Sequence, residues 1–292
     1  MRLSFLGSPQ LAVPVLLALG EAGHEIAVVI TRPDRRRGRG GAPSPTPVKA
    51  AALALGLEVT DRLDALEAID VDIGVVVAYG ALVPPSILSL APMLNMHFSL
   101  LPRWRGAAPV ERAILEGDDT TGVCIMRLEQ ALDTGPVYAR ATTLVGDKTL
   151  ATLRDELVGL GTGLLVGLLK GTVADLGDPE PQRGEPTYAR KVTDDELELD
   201  FGRTADHLAR VVRLGGARTW AAGRRLGVAR AEVVDVATGP PGTFDGEVVT
   251  CAAGGLRLLE IVPQGRRAMS PAAWLRGLRE GAPSHLGDAP DP

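Results

Sequence analysis

Apolar residues along this chain fall into two repeating patterns. The stretches "RLSFLG", "HEIAVVIT", "DIGVVVAYG" and "MLNMHFS" are short and almost continuously apolar, as strands covered on both faces are. Between them, "SPQLAVPVLLALGEAG" and "TPVKAAALALG" carry helix-compatible apolar content closed by Gly. A further helix in "PVERAILEGD", strands in "TTGVCIMRLE" and "GPVYARATTLV", and a long helix in "KTLATLRDELVGLGTGLLVGLLKG" follow. This order predicts an α/β fold: a Rossmann-like, doubly wound domain around a largely parallel sheet. Such sheets bind ligands beyond the carboxyl ends of their strands, where strand order switches. Asn95 and His97, in "MLNMHFS", would lie at such an end.

The pattern changes near residue 176. "DLGDPEPQRGEPTYARK" is dense in Pro, Gly and charge and reads as a linker. A short helix in "TADHLARVVRL" is followed by "RLGVARAEVVDV", "GTFDGEVVTC" and "GGLRLLEIVP", short strands with Gly-bearing turns. They predict a small, OB-like β-barrel. The expected organisation is therefore a catalytic domain over 1–175, a linker over 176–197 and a barrel domain over 198–292. The last 15 or so residues are expected to be loose.

Composition narrows the function classes. With 292 residues, 45% hydrophobic and 23% charged, the chain has the balance of a water-soluble globular protein and room for two domains. No apolar run reaches the roughly 18 residues of a membrane helix, so no membrane partner is expected. "MRLSFLGSPQ" reads as a first strand and not as a signal peptide. Cys124 and Cys251 lie far apart in strand-like segments, consistent with buried thiols in a reducing cytoplasm. Net charge is −5, yet residues 201–280 hold twelve Arg, no Lys and seven acids, a local balance of +5. "TRPDRRRGRGG" adds Arg32, Arg35, Arg36, Arg37 and Arg39 in one loop. Such asymmetry raises a nucleic-acid partner, against the simpler reading of solvated arginines.

"FLGSPQLAVP" has a single Gly where a dinucleotide-binding turn needs several, which excludes NAD. Asn95, His97 and, downstream, Asp133 in "ALDTGPVY" form the candidate chemical set. An imidazole can carry a proton or stabilise an oxyanion, a carboxylate can orient it, and an Asn amide donates without changing protonation. Together they suit attack of a nucleophile on a carbonyl carbon, although sequence spacing alone does not show that they meet. "LDTG" also marks aspartic proteases, but these need two copies on an all-β scaffold, and this chain has one in an α/β context. No GxSxG motif, no convincing Cys nucleophile and no metal-ligand spacing is present.

Several motifs then carry a resemblance that runs almost end to end. They are "FLGSPQLAVPVLLAL", "TRPDRRRGRG" with "PSPTPVKAAA", "VVVAYGALVP", "NMHFSLLPRWRGAAPVERAI", "GDDTTGVCIMRL", "LDTGPVY", "TYARKVTDDELELDF" and "PQGRRAMSPAAWLRG". The chain resembles the folate-dependent formyltransferases, and among them the branch that acts on initiator methionyl-tRNA. The resemblance implies Asn95, His97 and Asp133 as the catalytic set. It implies that Ser99, Leu100, Leu101 and Pro102 contact 10-formyltetrahydrofolate, the formyl donor, with no metal. Arg39 aligns with an arginine that enters the tRNA acceptor stem, and the positive C-terminal domain would hold the tRNA backbone. A cytoplasmic monomer is implied as well. The sequence departs from the family in "VVRLGGARTWAAG", in Gly40, Gly41 and Ala42 after Arg39, and at Phe98. The catalytic set alone also fits a formyltransferase for another amine, such as an amino sugar nucleotide, or a formyltetrahydrofolate hydrolase. A non-catalytic tRNA- or folate-binding paralogue is the third alternative, and turnover would separate it.

Overall fold

The apolar runs do become strands. In a computed structural model, which describes residues 1–36, 42–235, 238–278 and 281–288, the main sheet has seven. They are β1 (Arg2–Gly7), β2 (Glu25–Ile30), β3 (Val59–Thr60), β4 (Ile73–Val77), β5 (Met93–His97), β6 (Thr120–Arg127) and β7 (Val137–Leu144). Their order across the sheet is β7-β6-β5-β4-β1-β2-β3. The five strands β1 to β5 run parallel, and β6 and β7 add an antiparallel edge. Every residue of β4 is buried, whereas β7 alternates and leaves Leu144 67% exposed. A central strand covered on both faces and an edge strand covered on one give these two signatures.

Helices α1 (Val13–Glu21), α2 (Pro47–Ala54), α3 (Pro85–Leu88), α4 (Pro109–Glu116) and α5 (Leu150–Leu168) connect or follow these strands. Pro47 opens α2 behind an N-cap Thr46, whose hydroxyl accepts from the Lys49 N–H at 3.1 Å. On α5, Gly161 lies against Met96 of β5 and Val123 of β6: a Cβ there would come within 2.7 Å of the Met96 Sδ and 2.9 Å of the Val123 Cγ2. Its missing side chain lets helix and sheet approach closely. Met96 faces α5, so its alternation partners Asn95 and His97 project from the other face of β5.

The chain divides into two units, one made of 1–109, 120–144 and 154–189, the other of 110–119, 145–153 and 190–292. The second contains α6 (Ala205–Arg213) and an antiparallel sheet of β8 (Arg218–Ala221), β9 (Arg224–Val234), β10 (Val248–Thr250) and β11 (Gly255–Pro263), ordered β8-β9-β11-β10. Ala222 and Gly223, both at positive φ, form the two-residue turn between β8 and β9. Register breaks between Val228 and Ala231 bend β9, and Leu208, Val211 and Val212 of α6 are buried at this sheet. A short helix α7 (Pro271–Arg276) follows.

One expectation is corrected in this unit. Residues 281–288 are anchored and not loose. Leu286 is 1% exposed, its N–H donates to the Gly242 carbonyl at 2.9 Å, and the Gly287 N–H donates to the Trp220 carbonyl at 2.9 Å. A lone apolar residue in a polar tail marks this anchor. Among the described residues, no helix is long and apolar enough to cross a membrane.

Candidate active site

Strand order switches at β1, whose neighbours β2 and β4 lead to opposite edges of the sheet. Ser8 ties the strand ends together at this point. Its hydroxyl donates to the Tyr79 carbonyl at 3.1 Å and accepts from the Arg32 N–H at 3.2 Å. Tyr79 is buried just after β4, and burial pushes its phenol up. The carboxyl end of β5, which holds His97, lies at the same edge of the sheet, beyond β4.

After His97 the chain folds back across β6. Leu100 lies over Gly122, where a Cβ would collide with the Leu100 side chain and the Ala141 carbonyl. Leu101 joins Cys124, Met126 and Val137 in a buried cluster. His97 pairs with Cys124 and Asn95 with Met126 across the β5–β6 ladder, so this cluster forms an apolar wall on the face that carries both polar groups. Burial pushes the Cys124 thiol up, so it remains a packing group. Ser99 is fully buried and its hydroxyl donates to the Arg103 carbonyl at 2.6 Å, which fixes the turn. Of Ser99 to Pro102, only Leu100 and Pro102 retain partly exposed surface.

His97 is 5% exposed. Its Nε2 lies 2.9 Å from the Trp104 carbonyl oxygen. A carbonyl only accepts, so Nε2 carries a hydrogen in this arrangement. The other nitrogen, Nδ1, faces Asp133 Oδ2 at 3.6 Å. That oxygen is anchored by the Gly106 N–H at 2.7 Å. The structure thus brings His97 and Asp133 together although 36 positions separate them. Their separation exceeds a direct hydrogen bond. Asn95 is half-buried on the same strand face as His97, and its amide makes no hydrogen bond among the described residues. Arg39 lies outside the described residues.

Backbone groups supply part of the site that side-chain reasoning does not reach. Trp104 and Asp133 both adopt positive φ, +62° and +50°, uncommon for residues other than Gly. Trp104 is 8% exposed, with the Arg103 guanidinium 4.4 Å from its ring centre. Residues 180–189, within the expected linker, hold these loops. Tyr188–Ala189 pairs in parallel with Arg105–Gly106, the Thr187 hydroxyl accepts from the Trp104 N–H at 2.9 Å, and Gln182 reaches the Asp133 loop. The sequence signals for this strap were Gly106 and "TYARK". At Gly106, φ is +119° and a Cβ would sit 2.9 Å from the Ala189 carbonyl oxygen.

Residues 1–167 match the family model described as Formyl transferase. A methionyl-tRNA formyltransferase of Jannaschia sp. (strain CCS1) is 41% identical, with 96% of this chain and 97% of that protein covered. Among solved structures, HypX from Aquifex aeolicus in complex with tetrahydrofolic acid superposes with a TM-score of 0.60 at 16% identity over 94% of this chain. The match covers 47% of HypX, so this chain spans about half of that protein. The N-formyltransferase from Helicobacter canadensis, in complex with folinic acid and dTDP-3-aminofucose, gives 0.66 at 14% identity over 88% of this chain and 99% of that one. The two structures share the fold, while the near full-length identity reaches further: this chain belongs to the formyl transferase family and, within it, to the methionyl-tRNA formyltransferases.

Proposed function

We propose that this enzyme transfers the formyl group of 10-formyltetrahydrofolate to the free amino group of initiator methionyl-tRNA. The observation that carries the chemical part is the constellation on one face of β5. A buried His97–Asp133 pair is fixed by the Trp104 carbonyl and the Gly106 N–H, beside an Asn95 amide with no hydrogen-bond partner among the described residues. An unsatisfied amide next to an imidazole, backed by an apolar wall, fits a carbonyl oxygen that gains negative charge. The folate would supply the formyl carbon, and its own nitrogen would depart from that carbon as the leaving group.

The chain's residues then have separate tasks. Asn95 donates to the formyl oxygen as the methionyl amine forms its bond to carbon, with His97, whose Nε2–H is engaged by the Trp104 carbonyl, beside it. Asp133 faces His97 through Oδ2, which the Gly106 N–H anchors, while Oδ1, without a hydrogen bond among the described residues, accepts the proton that the amine loses. That proton passes to the folate nitrogen as its bond to the formyl carbon breaks, so no net charge accumulates. Leu100 and Pro102, the exposed part of the turn, offer apolar surface to the folate, and Ser99 and Leu101 fix its shape.

The arginine-rich loop with Arg39 would approach the tRNA acceptor stem, and the barrel domain, 198–292, would hold its backbone by charge. We read the curled C-terminal sheet as an OB-like barrel. Single bridges between Thr204 and Ala253 and between Thr243 and His285 support closure beyond the four strands. The enzyme is taken to act as a cytoplasmic monomer.

The test is formyl transfer from 10-formyltetrahydrofolate to charged initiator tRNA, with charged elongator tRNA and free methionine as controls. Formylation of the initiator alone supports the proposal. No transfer by an enzyme that binds folate would instead indicate a small-amine acceptor.

A further inference from the structure

Gln182 lies in a segment whose composition predicts only a linker, yet all four hydrogen-bonding positions of its amide are used. Its Nε2 donates to the Asp133 carbonyl and to the Gly135 carbonyl, both at 2.8 Å. Its Oε1 accepts from Arg105 Nε at 3.1 Å and from the same guanidinium's Nη2 at 2.6 Å. Arg105 precedes Gly106, whose N–H holds the Asp133 carboxylate at 2.7 Å. These links close a ring. It runs from the Gln182 amide to the Asp133 backbone, from the Asp133 side chain to Gly106, and from Arg105 back to Gln182.

We propose that Gln182 is a positioning residue for catalysis, setting where the Asp133 carboxylate stands against His97; this rests on the formyl-transfer reading above. Two facts make the ring necessary. Asp133 sits at φ +50°, a conformation that an L-residue keeps only when its surroundings impose it. Asp133 Oδ2 is also 3.6 Å from His97 Nδ1, so the pair is placed by its anchors and not by a direct hydrogen bond. Both carbonyls that flank Thr134 end on the same amide, which prevents the turn from rotating. No other residue type matches this demand at the same length. Glu keeps the acceptor for Arg105 but turns carboxylate oxygen toward two carbonyls, while Met keeps the volume and loses every hydrogen bond.

The kinetics should show a change in kcat and not in substrate binding. A catalytic group displaced by about 1 Å loses rate on the order of 100-fold. Gln182→Glu is therefore expected to lower kcat by about 10- to 100-fold, with KM for the folate within about threefold. The effect should vanish in an Asp133→Asn background, because a residue acting through another is non-additive with it. Gln182→Met serves as the second variant and should show the same pattern, with melting temperature recording any loss of fold.

Wild-type enzyme would be assayed first with folate donor and charged initiator tRNA. Failure there would overturn the formyl-transfer reading itself. With active wild type, a variant whose folded fraction turns over at wild-type kcat overturns the role of Gln182 alone. So does a Gln182→Glu defect of the same factor with and without Asp133→Asn, since that marks an independent structural effect.

Discussion

Replacing Glu196 by Gln tests how the second unit is held where its long C-terminal segment begins. The Glu196 carboxylate accepts from Arg112 at 2.7 and 3.0 Å, from Arg190 at 2.8 and 2.9 Å, and from the Thr193 N–H and hydroxyl at 3.0 and 3.2 Å. The Arg112 side chain, on α4, is 7% exposed and also donates to the carbonyls of Arg190 and Lys191. Hydrogen bonding to Arg112 is the main reason the Glu196 carboxyl falls from 4.5 to about 2. That gap corresponds to about 3 kcal/mol of stability at neutral pH. Because the Glu196 side chain is 24% exposed, solvent screening reduces this to about 2 kcal/mol. A depressed carboxylate contributes its full share above pH 4.5 and loses it as pH falls toward about 2. Urea denaturation of wild type and Glu196→Gln at pH 7 should show the variant less stable by about 2–4 kcal/mol, since Arg112 is left without its counter-charge. At a pH of about 3, the gap should narrow by about 1–2 kcal/mol, because wild type has then protonated much of Glu196 in its unfolded state. An equal gap at both pH values would refute the assignment of this ion pair as a pH-dependent anchor.

Other perturbations separate the roles of individual groups. Asn95→Ala should lower kcat by about 100- to 1,000-fold with an unchanged melting temperature, because the amide makes no hydrogen bond among the described residues; kcat within about threefold of wild type would remove it from the reaction. Gly106→Ala must move its backbone away from Ala189, and at φ +119° it carries strain of about 1–3 kcal/mol; an unaltered melting temperature would contradict the close approach. Burial pushes both thiols up, Cys251 to about 11, so a thiol reagent at pH 8 should label neither in the native protein. Rapid labelling of Cys124 would show that the apolar wall beside His97 opens.

Much of the first unit is legible because its strands announce themselves. The β4 run of Ile and Val can only be a covered strand, and the Gly and Pro residues around it limit its length. Orientation is less visible: β6 is as buried as the parallel strands, and the alternation of β7 together with its short connection to β6 is what implies the antiparallel edge. The second unit shows its strands but not its last anchor, because Leu286 stands alone among polar residues and no period surrounds it.

The active site was legible as a list of groups and illegible as an arrangement, for a physical reason. Asn95 and His97 declare themselves by type and by their two-residue spacing on a strand. What fixes Asp133 beside His97 is mostly main chain: the Trp104 carbonyl, the Gly106 N–H, and two carbonyls held by Gln182. Main-chain groups have no residue type, so no pattern can name them. Positive φ is usually signalled by Gly or Asn, but here Trp104 and Asp133 adopt it. Tertiary contacts override their local preference, and those contacts come from residues 180–189, whose Pro, Gly and charge look like a spacer. A segment with that composition can be an ordered strap when its hydrogen bonds are made to another loop and not within itself. Gly106 is the residue that betrays the arrangement, since only a missing Cβ lets Ala189 come so close.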